Sequence, residues 1–182
     1  ILLLQKTTKS MEEEAAAFVD AEKGVANAKE AIAGAKDIIA EMIADMADYR
    51  KSIRNCTMKQ GSLVVKAKDE KAASVYEMYY QYEEPVAKMA GYRVLAINRG
   101  EKEKKLKVKL SLETEKIHEL IAESVIRNEK SIFYEMLQGT IADAYKRLMA
   151  PSIEREMRNL LTERAEAEAV KIFAKNTESL LM

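Results

Sequence analysis

The sequence has no tryptophan, one cysteine, one histidine, two prolines and six glycines in 182 residues. A single thiol cannot form a disulfide within the chain, so an apolar core must hold the fold; the protein belongs in a reducing compartment or is indifferent to redox, and the cytoplasm is the expected setting. Glu115-x-x-His118 has the spacing of one half of a di-iron helix motif, but the second half needs another histidine, so no metal and no cofactor is expected. The glycines stand at 24, 34, 61, 91, 100 and 139. Phosphate-cradling loops need glycines within about five residues of one another, which excludes both nucleotide-loop motifs. There is also no excess charge: thirty basic residues balance thirty acidic ones, so nothing global draws the chain to a polyanion and only local stripes can do so. Long apolar runs are missing too. ILLLQ at residues 1–5 is too short for a signal core, and Ile38 to Ala47 is cut by Glu41 and Asp45, so neither export nor membrane insertion is expected. No G-x-S-x-G elbow occurs, Cys56 falls on an apolar stripe with Tyr49 and Ile53, and carboxylate pairs such as Glu83–Glu84 and Glu166–Glu168 read as solvated surface. A non-enzymatic chain is expected.

Helical periodicity is what the chain has in quantity. In the stretch Thr140–Asn176, Ile153, Met157, Leu161, Ala165, Ala169 and Ile172 recur at steps of three or four, with Leu160, Ala167 and Val170 widening the stripe. Glu154–Arg158 and Glu168–Lys171 are spaced to pair on the opposite face. Pro151 suits a first helical turn and pushes Ala150 out of helical geometry, so two helices are expected to meet near Ala150. Upstream, Ser10-Met11-Glu12-Glu13 is a capping box for a short helix ending by Gly24. Asn27-Ala28-Lys29-Glu30 opens a second helix, which breaks near Asp45 and is closed by Gly61. Thr114 can cap a helix carrying Ile117, Leu120, Ile121, Ser124 and Val125, and Ile132–Met149 forms another with Phe133, Met136, Leu137, Ile141 and Tyr145 inward.

Two short stretches alternate with period two. SLVVKAK, Ser62–Lys68, reads as a strand, and its partner is Leu106–Leu112, whose leucines and valine alternate with lysines. Between them the pattern predicts a helix over Ala72–Tyr82, a break at Pro85 and a further helix including Arg93–Ile97. The expected fold class is therefore mainly α: a multi-helix bundle with a long C-terminal helix and a small two-stranded β-ribbon. It is a single region with possible lobes at 1–61 and 62–182.

Two clusters invite a nucleic-acid reading. Tyr76, Tyr79, Tyr80 and Tyr82 follow Lys66, Lys68 and Lys71, and aromatics beside cations can stack bases, although helical spacing also suits Tyr76, Tyr79 and Tyr80 to packing. Arg99, Lys102, Lys105, Lys107 and Lys109 form a second basic set. They are candidate phosphate contacts, and the strand lysines could equally guard a sheet edge against aggregation.

The segments EKGVANAKEAIAGAKDIIAE, GYRVLAINRGEKEKKLKVKL and DAYKRLMAPSIEREMRNLLTERAEAEAVKIFAKN, taken together and in that order, resemble the helical region that precedes the RNase-H-like domain in Tex-type bacterial transcription accessory proteins. The resemblance implies a non-catalytic scaffold module within a larger protein. That protein's RNase-H-like domain, helix-hairpin-helix units and OB-fold RNA-binding domain lie outside this chain. It implies RNA or DNA as a partner of the full-length protein, weak binding by this chain, and adjoining domains packed on apolar segments such as Ile1–Leu4 and Ile172–Met182. An isolated chain is expected to self-associate through those segments. A start without Met and an end at Leu180-Leu181-Met182 fit an excised fragment. At Ala67–Val75, AKDEKAASV departs from the glycine-bearing charged stretch frequent in the family. An independent helical protein-interaction domain is the alternative reading, and an unrecognised enzyme a third.

Overall fold

Side-chain caps decide where the first helices begin. Ser10 Oγ accepts the Glu13 N–H at 3.2 Å while the Glu13 carboxylate accepts the Ser10 N–H at 3.0 Å, a reciprocal box that starts α1 at Met11–Ala16. The helix stops well short of Gly24. Asp20 accepts the N–H groups of Glu22 and Lys23, which diverts the backbone into a separate 3-10 turn, Ala21–Lys23, and Gly24 ends that turn at φ 80°, where a side chain would be strained. Asn27 then caps α2, Ala28–Asp45, by accepting the Glu30 N–H at 3.0 Å. Met46 is extended and separates α2 from α3, Ala47–Gln60, at the break expected near Asp45.

The computed structural model describes residues 1–7 and 9–181, without the side chains of Leu180 and Leu181; those side chains and Met182, part of the apolar run expected at the C-terminus, lie outside the described residues. The chain divides into two compact units, each built from two separate stretches: Ile1–Lys51 with Thr114–Pro151, and Ser52–Glu113 with Ser152–Met182.

In the first unit, α2 packs on α6, Tyr134–Asp143, and α6 packs on α5, Glu115–Val125. Ile39, Ile43, Ile121, Phe133, Leu137 and Ile141 are buried between them. Thr114 precedes α5 as expected, but its side chain makes no capping hydrogen bond. Gln5 is a buried polar staple: its amide nitrogen donates to the Val125 carbonyl at 2.7 Å, and its oxygen accepts the N–H groups of Arg127 and Asn128, each at 2.9 Å. Leaving the buried Gln5 amide unpaired would be costly, so these bonds tie the N-terminal stretch to the end of α5.

Ala150 does not mark the break that the proline suggests. It is fully helical, at φ −57° and ψ −46°, and begins α7, Ala150–Leu181. The preceding residues, Ala144–Met149, form a π turn. A proline within a helix lacks a donor and crowds the carbonyl four residues back, and the wider i→i+5 turn accommodates both faults without breaking the helix.

In the second unit a three-stranded antiparallel sheet, in the order β2-β1-β3, replaces the expected two-stranded ribbon. β1, Ser62–Ala67, pairs with β3, Leu106–Ser111, as the alternation predicts. The additional strand is β2, Gln81–Pro85, which lies in the stretch where a helix over Ala72–Tyr82 is expected. Only a 3-10 turn, Glu77–Tyr79, survives of that helix, because pairing with β1 satisfies the backbone and turns Tyr82 and Glu84 to the covered face. Pro85 sits at the end of an edge strand, where its missing donor is tolerated.

Leu63, Val65, Leu106 and Val108 form the sheet's apolar face and pack with Val94 and Ile97 of α4, Gly91–Lys102, and with Leu161 and Ala165 of α7. The apolar stripe of α7 is shorter than its periodicity implies: Ile153, Met157, Leu161 and Ala165 are buried, whereas Leu160, Ala167, Ala169, Val170 and Ile172 are exposed. Glu154 and Arg158 likewise do not pair with each other. Glu154 accepts the Leu110 N–H of edge strand β3 at 3.1 Å, and Arg158 reaches α4, since tertiary partners outcompete an exposed i,i+4 contact worth only a few tenths of a kcal/mol, about 0.3–0.5.

Candidate nucleic-acid interface

The solvent face of the sheet gathers lysines. β-strand side chains alternate, and with Leu63, Val65, Leu106 and Val108 inward, Lys66, Lys107 and Lys109 point to the opposite face. The register sets Lys66 directly across from Lys107 and Val64 across from Lys109. Just beyond the strand ends the Lys68 N–H donates to the Lys105 carbonyl at 2.9 Å, so these two exposed lysines extend the same pattern. Gln81 and Glu83 of β2 border the group, and Glu83 is the carboxylate that β2 contributes to this face.

The arrangement is electrostatically unfavourable in isolation, since like charges directly opposite on neighbouring strands repel. Lysines on an edge strand deter aggregation, which accounts for Lys107 and Lys109 on β3. That explanation does not extend to Lys66, because β1 is the central strand and has no free edge. Lysines two residues apart on β3 are separated by about 6.8 Å along the strand. The result is a ladder of cations suited to successive phosphates of an extended backbone.

The other expected contacts lie elsewhere. Arg99 and Lys102 are exposed on α4, which packs on the apolar side of the sheet, and they border a shallow hollow with Asn98 and Glu103. The structure therefore brings Lys105, Lys107 and Lys109 together with Lys66 and Lys68, and not with Arg99 and Lys102. The alternation in SLVVKAK carried the signal for Lys66; the central position of its strand was hidden by the helical reading of residues 72–82.

The tyrosines are structural. Tyr76 and Tyr79 are buried, and Tyr79 meets Tyr82 edge-on, with centroids 5.3 Å apart and planes at 87°. Tyr80 Oη donates to the Ala72 carbonyl and lies 2.8 Å from Ser74 Oγ. Tyr82 Oη donates to Glu84 at 2.5 Å, and Arg93 Nη1 donates to Glu84 at 2.5 Å and to Tyr82 Oη at 3.2 Å. Burial acts to raise the Glu84 carboxyl, but the hydrogen bonds from Tyr82 and Arg93 outweigh it and hold Glu84 below its ordinary range. Burial, reinforced by Glu84, pushes the Tyr82 phenol up. These ring faces and hydroxyls serve packing within the unit rather than a base-stacking surface.

Cys56 is half-buried, and His118 lies edge-on to Tyr145 at 5.6 Å with its Nε2 buried and without a hydrogen-bond partner. Among the described residues no group of three or more His, Cys, Asp or Glu side chains could hold a metal ion. No helix among them is long and apolar enough to cross a membrane.

Comparison with known proteins adds a second line of evidence. A family model described as Tex central region-like matches residues 6–173. A Bacillus subtilis protein named YdcI is 46% identical over 168 residues, covering 91% of this chain and 23% of that protein. Protein tex of Bordetella pertussis is 30% identical over 186 residues, covering 92% of this chain and 23% of its own length. The human S1 RNA-binding domain-containing protein 1 is 30% identical over 175 residues, or 88% of this chain and 18% of that protein. The chain thus spans less than a quarter of the length of these relatives.

Proposed function

The chain belongs to the Tex central-region family, and we propose that it acts within a longer protein as a non-catalytic helical scaffold that presents its lysine sheet face to nucleic-acid phosphates. The names of relatives, one for an S1 RNA-binding domain and one, from Neisseria gonorrhoeae, as a transcriptional accessory protein, support a nucleic-acid setting. The observation that carries the reading is Lys66 on the central strand, directly opposite Lys107. Edge protection does not require it, whereas a phosphate ligand uses it.

Zero net charge leaves little counterion-release energy, so binding by this chain is weak, and the part carried by the lysine face falls as salt is added. The test is an anisotropy titration of labelled single-stranded RNA at several salt concentrations, comparing the wild type with Lys66→Gln/Lys107→Gln/Lys109→Gln. Three lost phosphate contacts should flatten the logarithmic salt slope by about 2. Unchanged affinity and slope would remove the sheet face from the reading, and tight, salt-resistant binding would contradict a phosphate-only contact.

A further inference from the structure

The first unit carries an open apolar groove of about 500 Å³ between α1 and α2. Ile1 and Leu3 border it, Met11 and Ala15 of α1 with Phe18 just past its end form one bank, and Ala31, Gly34, Ala35, Ile38 and Met42 form the α2 bank over three helical turns. Phe18 is 61% exposed, Ile38 61% and Met42 52%, so large apolar side chains meet water along its whole length. The small residues at 31, 34 and 35 leave room for a helix to approach, and a Cβ added at Gly34 would meet nothing within 4 Å. The charged residues lining the groove, Glu14 and Glu30, are both acidic, and Glu41 and Asp45 continue the acidic edge of α2.

The distal part of α7 has the complementary chemistry. Val170 and Phe173, 67% and 74% exposed, lie one turn apart and share a face with Ala174 and Thr177. Lys171 and Lys175 flank that face, and residues 169–177 contain no carboxylate. We propose that the groove receives the Val170–Thr177 segment of a second copy of the chain, with Phe173 seated against Ile38 and Met42 and the two lysines over the acidic edge. An amphipathic helix laid into an apolar groove is a recurrent recognition mode, with anchors at i, i+3, i+4 and i+7. The contact joins different surfaces of the two copies, so each copy keeps one unused groove or helix for the next, and assembly proceeds to a closed ring or an open chain. One short helix in one groove is a small interface, which makes the association weak and concentration-dependent.

Sedimentation velocity of the chain over a wide concentration range tests this, using Ile38→Glu to spoil the groove and Phe173→Glu to spoil the helix. Wild type should sediment faster as concentration rises, and each variant alone should stay at the monomer value. An equimolar mixture of the two should regain association, limited to pairs, because one supplies an intact helix and the other an intact groove. Both substituted side chains are largely exposed, and circular dichroism verifies that the fold is kept. Lys171→Glu/Lys175→Glu, which leaves the apolar surface intact, should weaken association about tenfold at low salt and less at high salt. A wild type that remains monomeric overturns the proposal, as does association that survives either single variant or a mixture that stays monomeric.

Discussion

Arg158 of α7 grips Glu101 of α4 with both arms of its guanidinium, Nη2 at 2.5 Å from Oε2 and Nη1 at 3.0 Å from Oε1, and Nη2 also donates to the Asn98 side-chain oxygen at 3.2 Å. Asn98 in turn donates to Thr162 at 2.8 Å, so one polar network ties the two helices beside their apolar contact. A planar fork is matched to a carboxylate in a way that an ammonium is not. Arg158→Lys is expected to cost about 1 kcal/mol, discounted for partial exposure of the pair, and Arg158→Ala somewhat more. Urea unfolding of both variants checks this; a Lys variant as stable as wild type would show that the fork geometry contributes nothing.

Glycines on two helices should respond in opposite directions to alanine. Gly139, inside α6, has nothing within 4 Å of an added Cβ, so Gly139→Ala should stabilise by about 0.5–1 kcal/mol through helix propensity. Gly91, at the start of α4, would place its Cβ 2.6 Å from Glu168 Oε2 and 3.1 Å from Ala165 Cα. Glu168 can move aside, but the α7 backbone cannot easily do so, and Gly91→Ala should lower the thermal midpoint. Equal effects of the two substitutions would deny a close approach of α4 to α7.

The Tyr82–Glu84–Arg93 cluster gives stability a pH dependence at both ends. Because the Glu84 carboxyl is held low in the folded chain, its contribution is present above the ordinary glutamate range and is lost as pH falls through its depressed value. The Tyr82 phenol is held high, so its contribution is present below the ordinary tyrosine range and is lost as pH rises above it. Glu84→Gln should therefore be destabilising at neutral pH and approach wild-type stability in acid. Unfolding free energies measured at neutral and acidic pH test the sign, and a constant difference between the two would refute it.

What could be read in advance follows from how local each determinant is. The caps at Ser10 and Asn27, the break after Asp45 and the pairing of β1 with β3 depend on neighbours in sequence or on simple alternation, and all are present. β2 was not legible, since QYEEP carries no strong strand signal of its own and becomes a strand through β1. The outer half of the α7 stripe failed for the converse reason. Periodicity shows which residues could be buried, but burial requires a neighbour, and cover by the second unit's core ends at Ala165. The lysine face falls between these cases: the residues were visible, but the central place of Lys66 depended on the unseen strand.

That placement leads to a trade-off that can be measured. Lys66 and Lys107 face each other across the β1–β3 pair, and like charges so placed destabilise the sheet. Lys66→Glu converts the pair to opposite charges, which should stabilise the fold by about 0.2–1 kcal/mol at low ionic strength. Because salt screens exposed charges, the advantage should shrink as salt is added, since repulsion in the wild type weakens at the same time as attraction in the variant. The same substitution places a carboxylate in the middle of the cation ladder and should weaken RNA binding more than Lys102→Glu on α4, which is not on that face. On the proposed reading, a lysine pair kept where no edge needs guarding trades stability for phosphate binding. A Lys66→Glu variant that is less stable at low salt, or that binds RNA as well as wild type, would break that link between the register of the sheet and its use.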